Sequence, residues 1–502
     1  MTTAPVIDGA PGRVAGLPMW VAGCIFAVLS TYAAVASAGF LETDACVHYL
    51  YARFALQEHH LLVNVWGRPF CTALYMLPAV LGGRIGVRLT SLALALATAW
   101  ICYRIARRQG YEHPQLAFIF LLGQPLLFLH SFSELTELPF AFLLAMTFLA
   151  YQGRRLFLMA LLAGLMPAAR PEGLGFIVLA AGALIAHRRL RWLPLLVLPA
   201  ALWSLAGWAI TGAAQPWYMQ WWQWLPRQWP YAQKSLYDSG WLVHFLVGLP
   251  AVVGPGAFPA TILGLLISLR SSHAAYRASR HLFRCDLLIP GIALMILGVH
   301  SFLYWTGRMA SSGEFRYMLT ASPMWALLAA RGWAWAWRQA QLRRPLLWAG
   351  IAVLIPPLIA NRVWTIVPLR QQPDSQRAAQ AAAWYIGSEY SRTHPRLIAT
   401  HPEVYYFADI SPTDKNRTEE FHLKVIENPP PGVILIWDPM YGMYNADANR
   451  AIPLDRILER GWRVVRRFEK VVPAKADSAI NRMAAAVQQD ELPEWVVLVP
   501  PG

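Results

Sequence analysis

The sequence predicts a polytopic α-helical membrane protein with a small α/β domain at its C-terminal end. Three observations predict it. Residues 17–366 read as apolar runs joined by short connectors, in a chain of 502 residues that is 56% hydrophobic with mean hydropathy +0.37; ordinary soluble domains are about 45–50% apolar. Arginines crowd alternate connectors: Arg104, Arg107 and Arg108; Arg154 and Arg155; Arg188, Arg189 and Arg191; Arg270, Arg277, Arg280 and Arg284; Arg338, Arg343 and Arg344. Beyond Pro368 the composition changes, and 17 of the 28 acidic residues fall there.

The first run, 17–39, ends in Ala36-Ser37-Ala38, which resembles a signal-peptidase site. It has the roughly 20 residues a spanning helix needs and is read as a retained first span. Further spans are expected near 86–106, 114–131, 138–152, 156–170, 173–187, 192–212, 241–269, 287–306, 317–336 and 345–366, about eleven in all. Residues 71–82 are apolar but short, so an interfacial or re-entrant helix is expected there. With the N-terminus cytoplasmic, every arginine cluster lands inside, as the positive-inside rule requires. The odd count then places the C-terminal domain outside, and an integral protein of the bacterial inner membrane is expected. Domain limits are 1–367 for the membrane part and 368–502 for the α/β part. In the latter, 374–391 reads as an amphipathic helix. Residues 396–400, 433–437, 462–468 and 495–499 read as strands, with Asn428-Pro429-Pro430-Pro431-Gly432 as a loop.

The net charge of +15 follows from the inner connectors, so topology and anionic lipid headgroups account for it and no nucleic-acid partner is expected. There is no Walker motif, dinucleotide fingerprint or zinc signature. The five cysteines show no metal spacing; Cys46 and Cys71 fall in one outer region, either as small apolar residues or as a pair.

Acids at the outer ends of several spans need a cause other than topology, because acidic residues contribute little to orientation. Glu42-Thr43-Asp44 follows the first span, with His48, Tyr49 and Arg53 downstream. In a helix Asp44 and His48 share a face. Asp44 then serves either as a base or, with Thr43, as a helix cap. Ser131–Glu137 is a polar hairpin connector. Arg170-Pro171-Glu172 is either a structural ion pair or a guanidinium offered to phosphate or sugar. Gly313-Glu314-Phe315-Arg316-Tyr317 opens a late span, preceded by Arg308. Arg308 and Arg316 are outer cations that suit a phosphate or a lipid headgroup. The tryptophan-rich run 215–231 reads as an interfacial helix, with a platform for a sugar or a polyprenyl tail as the alternative.

The acid motif after the first span, the Arg170-Pro171-Glu172 element and the Arg316-Tyr317 opening of a late span resemble the GT-C glycosyltransferases, closest in style to bacterial members that use polyprenyl-phosphate sugars. The resemblance covers about 350 residues, the whole membrane part. It implies Asp44 as catalytic base, with Glu42 nearby. It also implies that Arg316, with Arg170 or Arg308, contacts the donor phosphate, and that Glu172, His48, Tyr49, Glu314 and Tyr317 line the substrate site. The chain departs from the usual acidic pair because Ala45 follows Asp44; a divalent metal is the one cofactor the resemblance allows. The implied reaction is inverting transfer, as by a mannosyl- or other hexosyltransferase, from a polyprenyl-phosphate-linked sugar to a lipid, glycan or protein hydroxyl. A membrane transporter or lipid flippase is the alternative, favoured by charges at the bilayer midplane.

Overall fold

Proline or glycine marks several of the points where the apolar runs of this chain stop being helical, such as Gln124-Pro125 and Gly254. The computed structural model describes residues 13–37, 42–212, 239–279, 283–308, 312–342, 374–390, 392–443, 449–468 and 495–501. The tryptophan-rich segment and the span expected at 345–366 lie outside the described residues. The chain divides into two compact units. One holds 13–34, Arg88–Leu205 and the described residues from 239 to 342; the other holds 35–87, 206–212 and the described residues from 374 onward.

The first unit is helical. Its elements are α1 (Arg13–Ala36), the latter part of α3 (Pro69–Arg108), α4 (Gln115–Leu122), α5 (Pro125–His130), α6 (Glu137–Gln152), α7 (Leu156–Ala169), α8 (Gly173–Ala186), most of α9 (Pro194–Thr211), α10 (His244–Val253), α11 (Phe258–Ser279), α12 (Cys285–Trp305) and α13 (Ser322–Leu342). Among the described residues, four helices are long and apolar enough to cross a membrane, or five if the pair bent by 115° at 254–257 is counted as one span. The run 114–131, expected as one span, is two short helices, because Gln124 adopts an extended backbone before Pro125. Helices α6, α7 and α8 are apolar but only 14 to 16 residues long. The expected interfacial helix at 71–82 is the start of α3, whose helical geometry breaks at Gly83 (φ 56°, ψ −148°), a left-handed conformation that glycine adopts without strain. Helices α11 and α13 touch backbone to backbone. A Cβ on Gly264 would lie 1.8 Å from the Leu328 carbonyl oxygen, the close approach that small residues permit between helices in lipid.

The second unit is built on a four-stranded sheet of β1 (Arg396–Ala399), β2 (Val433–Trp437), β3 (Arg463–Phe468) and β4 (Trp495–Val499), in the order β1-β2-β4-β3. Strands β1 and β2 are parallel; β4 runs antiparallel to both β2 and β3. Val433-Ile434-Leu435-Ile436-Trp437 and Trp495-Val496-Val497-Leu498-Val499 are buried along their whole length, as unbroken apolar runs covered on both faces must be. On one face Ile398, Leu435, Trp437 and Leu498 meet Ile426 of α16 (Leu423–Glu427), Leu454 and Ile457 of α18 (Leu454–Glu459), and Trp462. The short helix α17 (Pro439–Met443) follows β2. On the other face Leu397, Ile434, Ile436 and Val497 meet Ala379 and Ala382 of α14 (Asp374–Tyr385), Val404 of α15 (Pro402–Phe407), and Cys46 and Leu50 of α2 (Thr43–Phe54). The helix that follows the first apolar run is therefore part of the α/β core. Cys46 and Leu50, four apart, are its inward stripe. Cys46 and Cys71 are buried and form no disulfide.

The edge strand β3, Arg463-Val464-Val465-Arg466-Arg467-Phe468, carries exposed arginines that guard its open edge.

Where β1 and β2 end, polar side chains are buried together. Gln376 Nε2 donates to Glu403 Oε1 at 2.7 Å, the Glu403 N–H donates to His401 Nδ1 at 3.3 Å, and Thr400 Oγ1 donates to Asp438. Burial, reinforced by Asp438 and opposed by Gln376 and Arg84, pushes the Glu403 carboxyl up to about 8. In the folded protein this carboxyl stays protonated at neutral pH, whereas in the unfolded chain it ionises near 4.5. Its contribution is therefore fully present below pH 4.5 and is lost as pH rises toward 8. Glu403→Gln, a neutral isostere, should match the wild type near pH 4.5 and gain on it by about 1.4 kcal/mol per pH unit up to pH 8. Thermal unfolding across that range measures it; a constant difference at every pH contradicts the assignment.

Candidate functional site

In the helical unit, apolar segments end on charged side chains that meet one another. Helix α6 begins at Glu137, the first residue of the buried apolar run Glu137-Leu138-Pro139-Phe140. Helix α7 ends at Arg170, whose extended backbone (φ −158°, ψ 150°) turns the chain out of the helix, and Glu172 directly precedes α8. His300 lies on α12, and the 3-10 segment Phe315–Ala321 supplies Arg316 and Tyr317.

Arg170 holds this group together. Its Nη1 lies 2.8 Å from Glu137 Oε1 and donates to Thr136 Oγ1 at 2.9 Å, while Nε and Nη2 both donate to Glu172 Oε1 at 3.0 Å. Arg316 Nε is 3.5 Å from the same Glu137 oxygen and pairs with Glu314. His300 Nε2 approaches Glu172 Oε1 at 3.4 Å, an ion-pair distance without hydrogen-bond geometry. The Tyr317 ring stacks on His300 at 5.1 Å and lies under both guanidinium groups, at 5.7 Å from Arg170 and 5.8 Å from Arg316. Ser312 Oγ joins Glu314 and the Tyr317 hydroxyl, each at 2.9 Å. Beside the cluster, His244 Nε2 bonds the Gly313 carbonyl at 2.7 Å and its ring stacks on Phe315.

Three carboxylates (Glu137, Glu172, Glu314) thus face two guanidinium groups (Arg170, Arg316), with His300 the adjoining titratable base. Glu137 Oε2 and Glu172 Oε2 are buried without a hydrogen-bond partner among the described residues. A buried carboxylate oxygen with no donor is costly.

In the α/β unit, α2 carries the other expected residues. Glu42 occupies the N-cap position without a side-chain cap bond, and Asp44 sits in the first turn. This differs from the expectation of a Thr43 or Asp44 cap, because the helix begins one residue earlier. Both acids are half-buried. His48 is buried and stacked on Trp66 at 5.0 Å; Tyr49 is buried and meets Tyr406 edge-on at 5.5 Å. Both rings pack inside this unit.

The structure therefore brings Arg170, Glu172, Glu314, Arg316 and Tyr317 together in one unit and carries Glu42, Asp44, His48 and Tyr49 on one helix of the other. Arg308, after α12, is exposed. Among the described residues no group of three or more His, Cys, Asp or Glu side chains could hold a metal ion. Two partners were not singled out from sequence. Glu137 reads as one of several polar residues in a hairpin connector, and His300 as a packed histidine. The available signal is an acid at the first position of an otherwise apolar helix. A second buried pair, Arg88 Nε to Glu134 Oε1 at 3.0 Å, uses the other acid of that connector, and Arg88 Nη1 also donates to the Ala34 carbonyl.

No protein-family model matches the chain, and no curated protein matches it in sequence. Solved structures do share its fold. The crystal structure of ArnT from Cupriavidus metallidurans bound to undecaprenyl phosphate is 14% identical with a TM-score of 0.56, covering 86% of this chain and 97% of that one. The apo structure of the same protein is 13% identical with a TM-score of 0.57, covering 96% and 98%. The chain thus shares its fold with these ArnT structures.

Removing Glu137 leaves Arg170 and Arg316 short of a buried counter-charge. Glu137→Ala should cost about 3–5 kcal/mol of stability, and Glu137→Gln less. Denaturant unfolding in detergent micelles measures it. Equal, near-zero losses in the two variants would show that the carboxylate is not the hub of the group.

Proposed function

We propose that the chain is an integral membrane glycosyltransferase that moves a sugar from a polyprenyl-phosphate donor to a hydroxyl acceptor on the extracytoplasmic face, with inversion. The observation that carries the reading is the fold shared over most of the chain with a structure bound to undecaprenyl phosphate. The arginine-rich connectors support a bacterial inner-membrane protein with its N-terminus inside and the α/β domain outside.

The reaction is a single displacement. The acceptor oxygen forms a bond to the anomeric carbon as the bond from that carbon to the phosphate oxygen breaks, and the electron pair departs with the polyprenyl phosphate. Asp44 takes the proton of the acceptor hydroxyl. Half-buried in the first turn of α2, it keeps contact with solvent. Arg316, with Arg308 as a second outer cation, offsets charge that builds on the leaving phosphate. Arg170 serves chiefly to hold Glu137 and Glu172, because its guanidinium already faces both carboxylates and Thr136. Glu137 and Glu172, through their unpartnered oxygens, accept hydrogen bonds from hydroxyls of the transferred sugar.

Purified protein in lipid nanodiscs, given a set of polyprenyl-phosphate sugars, tests this. Asp44→Asn should lower transfer about 10²–10⁴-fold while eluting like the wild type on size exclusion. Full activity in that variant removes Asp44 as base. Movement of the labelled lipid between leaflets with no glycosylated product, in either protein, would favour a flippase.

A further inference from the structure

We infer that the α/β domain positions the acid-bearing helix α2, and that Tyr406 on α15 is the positioning residue through which it does so. The inference rests on the proposed role of Asp44. Helix α2 is fixed to elements far away in sequence at every level of its length. Cys46 and Leu50 lie in the sheet core with Ile434, Ile436 and Val497. One turn further round, the Tyr49 ring meets the edge of Tyr406. At the C-terminal end, Arg53 Nε approaches Asp409 at 3.9 Å, and just beyond the helix Thr413 Oγ1 donates to Glu58 at 2.6 Å.

These contacts differ in weight. Arg53 and Asp409 are 32% and 72% exposed, so water screens the pair and it fixes little. The aromatic pair is different. Tyr49 is buried, and its aromatic partner is held from a second side. Arg84 Nη1, on the early part of α3, donates to the Tyr406 hydroxyl at 3.2 Å, and its guanidinium lies 5.2 Å over the Tyr406 ring. Tyr406 is thus clamped between α2 and α3 while its backbone belongs to α15, which packs on the sheet. Edge-to-face rings have a defined geometry, so the rotation of α2 about its axis follows the placement of Tyr406. That rotation sets where Asp44 points, because Asp44 and Tyr49 ride on the same three turns of helix.

The test compares Tyr406→Leu, Tyr406→Phe, Tyr49→Leu and the Tyr49→Leu/Tyr406→Leu double variant with the wild type and Asp44→Asn, on monodisperse protein in nanodiscs. Misplaced reacting groups cost turnover rather than affinity. Tyr406→Leu should therefore lower kcat at least ~10-fold with donor and acceptor KM within about twofold of wild type. Tyr406→Phe keeps the ring and should restore kcat to within about threefold. Because both leucine variants break the same ring pair, the double variant should lose no more than the worse single one. If Tyr406→Leu does not yield folded protein, Tyr49→Leu makes the same break from the other side and carries the comparison. Unchanged kcat in a folded leucine variant, or losses that multiply in the double variant, would overturn the positioning role. An active Asp44→Asn removes the base reading itself, whereas an inactive Asp44→Asn beside fully active leucine variants overturns this inference alone.

Discussion

A carboxylate buried at the start of an apolar helix must be met by cations brought from elsewhere in the chain, and Glu137 is met by two. Arg170 and Arg316 both face its Oε1. Glu172 and His300 then complete the far side of Arg170. All but one of these residues come from points where a helix stops or starts, namely the first residue of α6, the end of α7, the residue before α8 and the 3-10 segment before α13; His300 comes from the body of α12. Among aliphatic side chains no single pairwise contact is specific, so these helices could slide past one another at little cost. A charge that has left water has no such latitude. The register of five segments is tied to two carboxylate oxygens, Glu137 Oε1 and Glu172 Oε1, joined by Arg170.

That constraint also explains why the group suits a polar ligand. A network that cancelled its charges and filled every acceptor would be purely structural. Here two carboxylate oxygens remain buried and unpartnered among the described residues, on side chains whose other oxygens are locked by Arg170. The cost of leaving them so is met by the strength of the pairs beside them. A sugar bristling with hydroxyl donors is the chemical complement of such oxygens.

The sequence made the secondary elements legible wherever one signal dominated. Strands β2 and β4 are unbroken apolar runs bounded by proline-rich or polar stretches, and their limits fall where expected. Helices α1, α9 and α12 are apolar over a full bilayer width. Where two signals competed, the reading was weaker. Residues 114–131 have the hydropathy of one span, but Pro125 divides them. Residues 71–82 look too short to stand alone, yet they continue past Gly83 into the rest of α3. For the site, Arg170, Glu172 and Arg316 were visible as charged groups at span ends, with Tyr317 beside Arg316. Glu137 was not distinguished from Glu134, because a connector sequence does not reveal which acid a distant arginine will reach. Still less does periodicity reveal that Cys46 and Leu50 belong to a sheet assembled from residues beyond 390.

The packing of α2 on that sheet has a consequence for biogenesis. Thr413 bonds Glu58 across 355 positions of sequence, and β4 lies between β2 and β3 in the interior of the sheet. During synthesis α2 leaves the ribosome long before the strands that cover it. Its greasy stripe must wait, uncovered, while the intervening membrane helices are threaded into the bilayer. Closing so long a loop is entropically slow even though each added residue costs little. The last piece of the face that covers α2 is therefore β4, and a ribosome stalled before residue 495 leaves α2 with α14, α15 and β2 to pack on but without the strand that joins β2 to β3.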